Sequence, residues 1–196
     1  PWTVRAVIPW LYVSGPALVI DGGEGGSIGT REGDSASGLG DISLSLMYSF
    51  EELYQHDWFV DVTARAKIPT ASFRDGLGTG EPDGYLQIDV ARAIGPFIPF
   101  ATLGHKWTGV PTTLELRNTV FGSMGLQYSW SNDVAIGLSY DYRQSSFKAS
   151  PEIQEGLAYV NIRFAEAWSA NIYGVMGFSD NSPDAGAGLA FVYHFP

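Results

Sequence analysis

Apolar and polar residues alternate one for one along most of this chain. The alternation falls into ten segments: 2–14, 40–50, 57–69, 84–93, 97–107, 115–129, 134–144, 156–164, 168–178 and 185–195. Alternation with period two puts successive side chains on opposite faces of a β-strand. In 134–144, Val134, Ile136, Leu138, Tyr140 and Tyr142 share one face, and Ala135, Gly137, Ser139, Asp141 and Arg143 share the other. In 42–50, Ile42, Leu44, Leu46, Tyr48 and Phe50 oppose Ser43, Ser45, Met47 and Ser49. A half-buried strand of a soluble sandwich has the same period, so the argument rests on all ten segments together.

The connections between segments alternate in length. Short ones at 51–56, 94–96, 131–133 and 165–167 are interleaved with long ones at 15–39, 70–83, 108–114, 145–155 and 179–184. Short turns at one end and long loops at the other are the plan of an outer-membrane barrel, with the turns in the periplasm and the loops outside. The expected fold is therefore all-β, an antiparallel up-and-down transmembrane β-barrel of about ten strands, with residues 1–196 forming a single domain. The glycine-rich connection 15–39 is expected to be disordered, to cap the mouth or to fold inward as a partial plug.

The uniformly apolar parity of each segment is assigned to lipid. In 57–69, Trp58, Val60, Val62, Ala64, Ala66 and Ile68 face out, which leaves Asp61, Thr63, Arg65 and Lys67 facing in. In 115–129, Leu116, Val120, Met124, Leu126 and Tyr128 go out, and Glu115, Arg117, Thr119, Ser123 and Gln127 go in. In 156–164, Ala158, Val160, Ile162 and Phe164 go out, and Tyr159, Asn161 and Arg163 go in. By the same logic Arg5, Gln87, Asp89, Lys106, Asp141 and Arg143 line the interior. The expected lumen-lining charges are thus Asp61, Arg65, Lys67, Asp89, Lys106, Glu115, Arg117, Asp141, Arg143 and Arg163. Burying them unpaired is prohibitive, so they are paired or wet. They form either a salt-bridge web that fills a narrow barrel or a polar path with a surplus of bases.

Composition adds the membrane boundary. Trp2, Trp10, Trp58, Trp107, Trp130 and Trp168 all lie near segment ends, where amphipathic rings form interfacial belts. No run approaches the roughly 20 apolar residues of a membrane helix, so spanning falls to strands. The net charge of −10, from 21 acids against 11 bases, argues against a nucleic-acid partner. There is no cysteine, and the three histidines, His56, His105 and His194, have no compact ligand set around them. Asp75, Glu81 and Asp83 carry enough oxygens for peripheral calcium but not the loop of an EF-hand, and are read as solvated loop acids. The stretches 22–26 and 76–80 are glycine-rich but lack the GK[ST] and the strand-to-helix context of a phosphate loop. No catalytic residue, metal or cofactor is expected, and the chain is not expected to be an enzyme.

Several stretches resemble the proteobacterial outer-membrane "transporter" family related to the MetA-pathway phenol-degradation proteins. They are 7–16 (VIPWLYVSGP), 38–41 (GLGD), 67–70 (KIPT), 76–83 (GLGTGEPD), 138–143 (LSYDYR) and 177–184 (GFSDNSPD). The resemblance implies a twelve-stranded barrel that passes hydrophobic or aromatic compounds, and it carries no established catalytic or ligand-binding residues. The family usually has about two strands before the segment like 2–13, so the resemblance implies either an N-terminally trimmed barrel or a ten-stranded form. Phe195 resembles the terminal aromatic recognised during outer-membrane assembly, although Pro196 follows it. The expected function is passive uptake of small, hydrophobic or aromatic solutes through the outer membrane of a Gram-negative bacterium. The expected partners are outer-membrane lipid, small solutes and the assembly machinery. The alternative is a closed structural or assembly-partner barrel without a continuous pore.

Overall fold

The computed structural model describes residues 1–14, 35–110, 115–148 and 150–194. Twelve strands follow in order: β1 (Trp2–Val7), β2 (Trp10–Ser14), β3 (Ser35–Leu39), β4 (Ile42–Ser49), β5 (Trp58–Ile68), β6 (Asp83–Arg92), β7 (Phe97–Trp107), β8 (Thr119–Ser129), β9 (Val134–Arg143), β10 (Ile153–Ala165), β11 (Trp168–Gly177) and β12 (Ala185–Tyr193). Ten of them form one antiparallel sheet in the order β1-β4-β5-β6-β7-β8-β9-β10-β11-β12, and β2 pairs with β3 as a separate hairpin. From β4 onward each strand pairs with the next in sequence, which is the up-and-down plan that the alternating connections predict, while the other neighbour of β4 is β1. Among the described residues no ladder joins β1 to β12, so these two strands are the edges of the sheet.

The sheet buries very little apolar side chain. Among the described residues the buried hydrophobic ones are Ala71, Leu77, Leu116 and Ala170, whereas mid-strand Leu103, Met124 and Leu138 are each about two-thirds exposed. A soluble sandwich would place those three in its core. Here they stand on the outer face, with the register partners Leu126 and Leu138 side by side. Aromatic rings cluster on the same face near the short-turn end. Trp2 packs on Tyr48, Phe97 on Tyr128, Tyr128 on Trp130, and Phe164 between Trp168 and Phe191. Trp107 marks the opposite end and stacks on His105. This is the belt expected from the tryptophan positions.

The short turns have local causes. Ile94 and Phe97 exchange both backbone hydrogen bonds around Gly95–Pro96, and Gly95 takes the positive φ of 60° that so tight a hairpin demands. The turn 51–56 is a 3-10 helix, Glu51–His56, ended by Asp57 in the left-handed region, whose N–H donates to Leu53 and Tyr54 carbonyls.

The structure departs from the alternation at three points, all near the long-connection end. Segment 2–14 is two strands. Pro9 has no N–H to give to a ladder. The chain bends there and at Gly40, whose N–H donates to the Pro9 carbonyl. A Cβ on Gly40 would collide with Pro9 and Leu11. Segment 115–129 becomes strand only at Thr119. The Asn118 side-chain oxygen takes the Thr108 N–H and ends the β7–β8 ladder. Leu116, assigned to lipid, instead bridges Phe147 and is buried. Finally, β10 begins three residues early, at Ile153. The connection expected at 15–39 ends earlier, because 35–39 form β3 against β2, and 15–34, where disorder, a cap or a partial plug is expected, lie outside the described residues.

This facing predicts unequal tolerance at adjacent positions. Leu138→Arg is expected to cost about 2–4 kcal/mol of folding free energy in a bilayer, against little for Ser139→Arg. Urea titrations of protein refolded into liposomes measure both, and equal costs would contradict the assigned faces.

Candidate functional site: the inner face of the sheet

Cross-strand register sorts the inner-face side chains into rows. One row runs Arg5, Ser45, Arg65, Tyr85, Lys106, Thr119. Its cations do not repel across empty space, because Tyr85 lies between two of them. The Arg65 guanidinium and the Lys106 ammonium each sit 5.5 Å from its ring centroid. Arg65 Nε also donates to Ser45 Oγ at 3.2 Å.

A second row, two steps toward the short-turn end, carries the opposite charge. It runs Ser49, Asp61, Asp89, Thr102, Ser123, Asp141, Glu155. Asp89 accepts from Thr102 Oγ1 at 2.6 Å and from Gln87 Nε2 at 2.8 and 2.9 Å. Asp141 accepts from Ser139 Oγ at 2.8 Å, and Glu155 pairs with Arg143 at 2.9 Å. Asp61 is directly opposite Asp89, and its Oδ1 is buried without a hydrogen-bond partner. Like charges set directly across a ladder destabilise it.

The rows nearer the short-turn end are aromatic and amide-bearing. One contains Ile98, Gln127, Gly137, Tyr159, Tyr173 and Gly188, and the next contains Asn161 and Asn171. Four rings on this face lie over glycines of the neighbouring strand: Phe121 over Gly104, Phe100 over Gly125, Tyr159 over Gly137 and Tyr173 over Gly188. A methyl group at any of these glycines would occupy the place of the ring.

At the long-connection end 69–82 packs against part of the inner face, around Lys67 and Asp41. Lys67 is the centre of this packing. Its ammonium pairs with Asp41 at 3.0 Å and Asp83 at 3.1 Å, and it donates to Thr79 Oγ1 at 3.2 Å. Lys106 approaches Asp83 at 3.6 Å, so two ammonium groups balance two carboxylates. The other Asp41 oxygen accepts from the Ala71 N–H, and the other Asp83 oxygen from the Gly109 N–H. The Lys67, Asp41 and Asp83 side chains are only 9%, 3% and 4% exposed. Leu77, fully buried, packs against the backbone of β3 at Gly38. Because Lys67 is an inner-face residue and touches Thr79, this segment lies on the lumen side.

The structure divides the ten expected lumen residues. Lys67 and Lys106 share the buried cluster, Arg65 joins them through Tyr85, and Asp61, Asp89, Asp141 and Arg143 lie on the inner face of their strands. Arg163 is at the short-turn end and exposed. Glu115 and Arg117 are not on a strand: Glu115 is exposed, and Arg117 Nε donates to the Ser145 carbonyl in the neighbouring connection. Three acids that hold these bases, Asp41, Asp83 and Glu155, are absent from the expected set: Asp83 is read as a loop acid, Glu155 falls in the connection 145–155, and Asp41 lies at the start of segment 40–50. Each keeps the inward parity of its strand, so parity alone finds Asp41 in segment 40–50, and one further residue on segments 84–93 and 156–164 finds Asp83 and Glu155.

Replacing the central ammonium tests this packing. Lys67→Met leaves two buried carboxylates short of a cation and is expected to cost about 3–5 kcal/mol. It should also speed tryptic cleavage at the exposed Arg74, read on gels over time. Asp61→Asn relieves the Asp61–Asp89 opposition and is expected to raise stability by about 0.5–1 kcal/mol in the same denaturant titration.

No protein-family model matches the chain, and neither does any curated protein. Among solved structures it is similar to the COG4313 outer membrane channel from Pseudomonas putida F1. The superposition has a TM-score of 0.65 at 16% sequence identity, and covers 81% of this chain and 67% of that one. The chain thus has the fold of a bacterial outer-membrane channel.

Proposed function

We propose that this chain is a passive channel of the outer membrane for small solutes, with hydrophobic or aromatic compounds as the favoured class. The observation that carries the reading is the two-sidedness of one continuous sheet. Its outer face is predominantly apolar, with Arg92, His105 and Gln154 only near the strand ends, and its inner face carries most of the polar and charged side chains, from Asn161 and Asn171 to Lys67. The shared fold with the Pseudomonas putida channel supports the same reading. The preference for hydrophobic or aromatic solutes rests on the resemblance to the phenol-degradation-related transporter family, and so does insertion by the outer-membrane assembly machinery. We propose further that the chain works as a single domain and carries out no catalytic step.

The buried Lys67 cluster favours a second reading, a barrel closed at its long-connection end. The two readings predict different electrical behaviour. Refolded protein in planar bilayers is expected to give discrete current steps that millimolar phenol interrupts. A folded but silent protein would reject the open channel in favour of the closed barrel.

A further inference from the structure

The inner wall formed by β10 and β11 contains a pocket of about 360 Å³ lined by Leu157, Tyr159, Asn161, Asn171 and Tyr173. Its shape follows from the glycines opposite the two rings. Tyr159 and Tyr173 are direct register partners on adjacent strands. Tyr159 leans away onto Gly137 of β9, and Tyr173 leans the other way onto Gly188 of β12. The rings therefore part, and leave a cleft floored by Leu157 on one side and the two asparagines on the other.

The chemistry of the lining is directional. Asn171 Nδ2 donates to Asn161 Oδ1 at 2.6 Å, which fixes the amide pair and leaves the Asn171 carbonyl oxygen and the Asn161 amino group with capacity for a ligand. The Tyr159 hydroxyl is anchored on Gln127 Oε1 at 3.2 Å, so that ring is held in place. Two tyrosine rings, one aliphatic side chain and a donor–acceptor pair around an open cleft suit a flat ring with one polar substituent. No charged side chain lines the pocket, so an ionised ligand gains no partner there.

We propose that this pocket is a binding station for neutral monocyclic aromatics bearing a hydroxyl or similar hydrogen-bonding group. It rests on the channel reading for its role, as the place where such a solute pauses on the inner wall, but binding itself requires no open pore. Glycine at 137 and 188 is then part of the site. A side chain at either position would push a ring back over the cleft.

Fluorine NMR titration of the refolded protein in detergent tests the station, with 4-fluorophenol as probe and 4-fluorocyclohexanol as the ring-saturated control. The aromatic probe is expected to bind at least about five-fold more tightly than the saturated one. Tyr173→Leu should weaken 4-fluorophenol about five-fold or more, while Tyr128→Leu, on the outer face, should leave its binding unchanged. Asn161→Ala should weaken 4-fluorophenol and leave fluorobenzene unaffected, which separates the polar contact from the stacking. Equal affinity for the two probes, or unaltered binding by Tyr173→Leu in a variant with the wild-type circular dichroism spectrum, would overturn the proposal. Bilayer currents keep the two readings apart: binding without conductance retains the station and rejects the channel, and conductance without binding does the reverse.

Discussion

A strand that crosses hydrocarbon has no water to satisfy its backbone, so every N–H and C=O must find a neighbouring strand. The sheet meets this demand for β4 to β11, each laddered on both sides, and leaves only the outer edges of β1 and β12 without a ladder among the described residues. Most of the other features follow from this pairing. A ladder fixes register, and register fixes which side chains stand next to one another. That is why Arg65, Tyr85 and Lys106 form one row although 41 positions separate the first from the last in sequence. It is also why Asp61 and Asp89 are forced into opposition despite their like charge.

The two ends of the sheet solve different problems. At the short-turn end the connections are minimal, and aromatic rings on the outer face provide the boundary with the lipid headgroups. At the other end the connections are long enough to pack on one another, and charge is their adhesive. Lys67 alone would be costly to bury, but with Asp41, Asp83 and Lys106 it forms a neutral group whose remaining oxygens accept backbone N–H groups. The residue that orders 69–82 is thus a strand residue, and the loop borrows its structure from the wall.

Alternation makes the strands legible because one face is kept apolar along all but the ends of each strand. The outward assignments of Val60, Leu126 and Leu138 follow from the parity of 57–69, 115–129 and 134–144, and the ladder agrees with them. The reading failed where the chain leaves that constraint. Pro9 and Gly40 bend a hairpin whose hydrophobic pattern continues unbroken, with Ile8, Trp10 and Tyr12 all exposed on the same parity. Leu116 looked lipid-facing by parity, but its burial is decided by Phe147, which belongs to another connection. The paired acids were hidden for a related reason. Asp83 stands between a loop rich in glycine and acids and the first residue of an obvious strand, and only its contact with Lys67 distinguishes it from its solvated neighbours. The rings over glycines are invisible in the sequence, since each pair joins residues from different strands.

The rows have a geometric consequence for anything that moves along the inner wall. Strands in a barrel tilt by roughly 35–45° to its axis, so rows that run across the strands climb as they go round. The wall is therefore threaded like a nut rather than banded like a pipe. A solute that stays with one kind of surface, aromatic, acidic or basic, must turn as it advances. One that travels straight crosses from one thread to the next and meets each chemistry in succession.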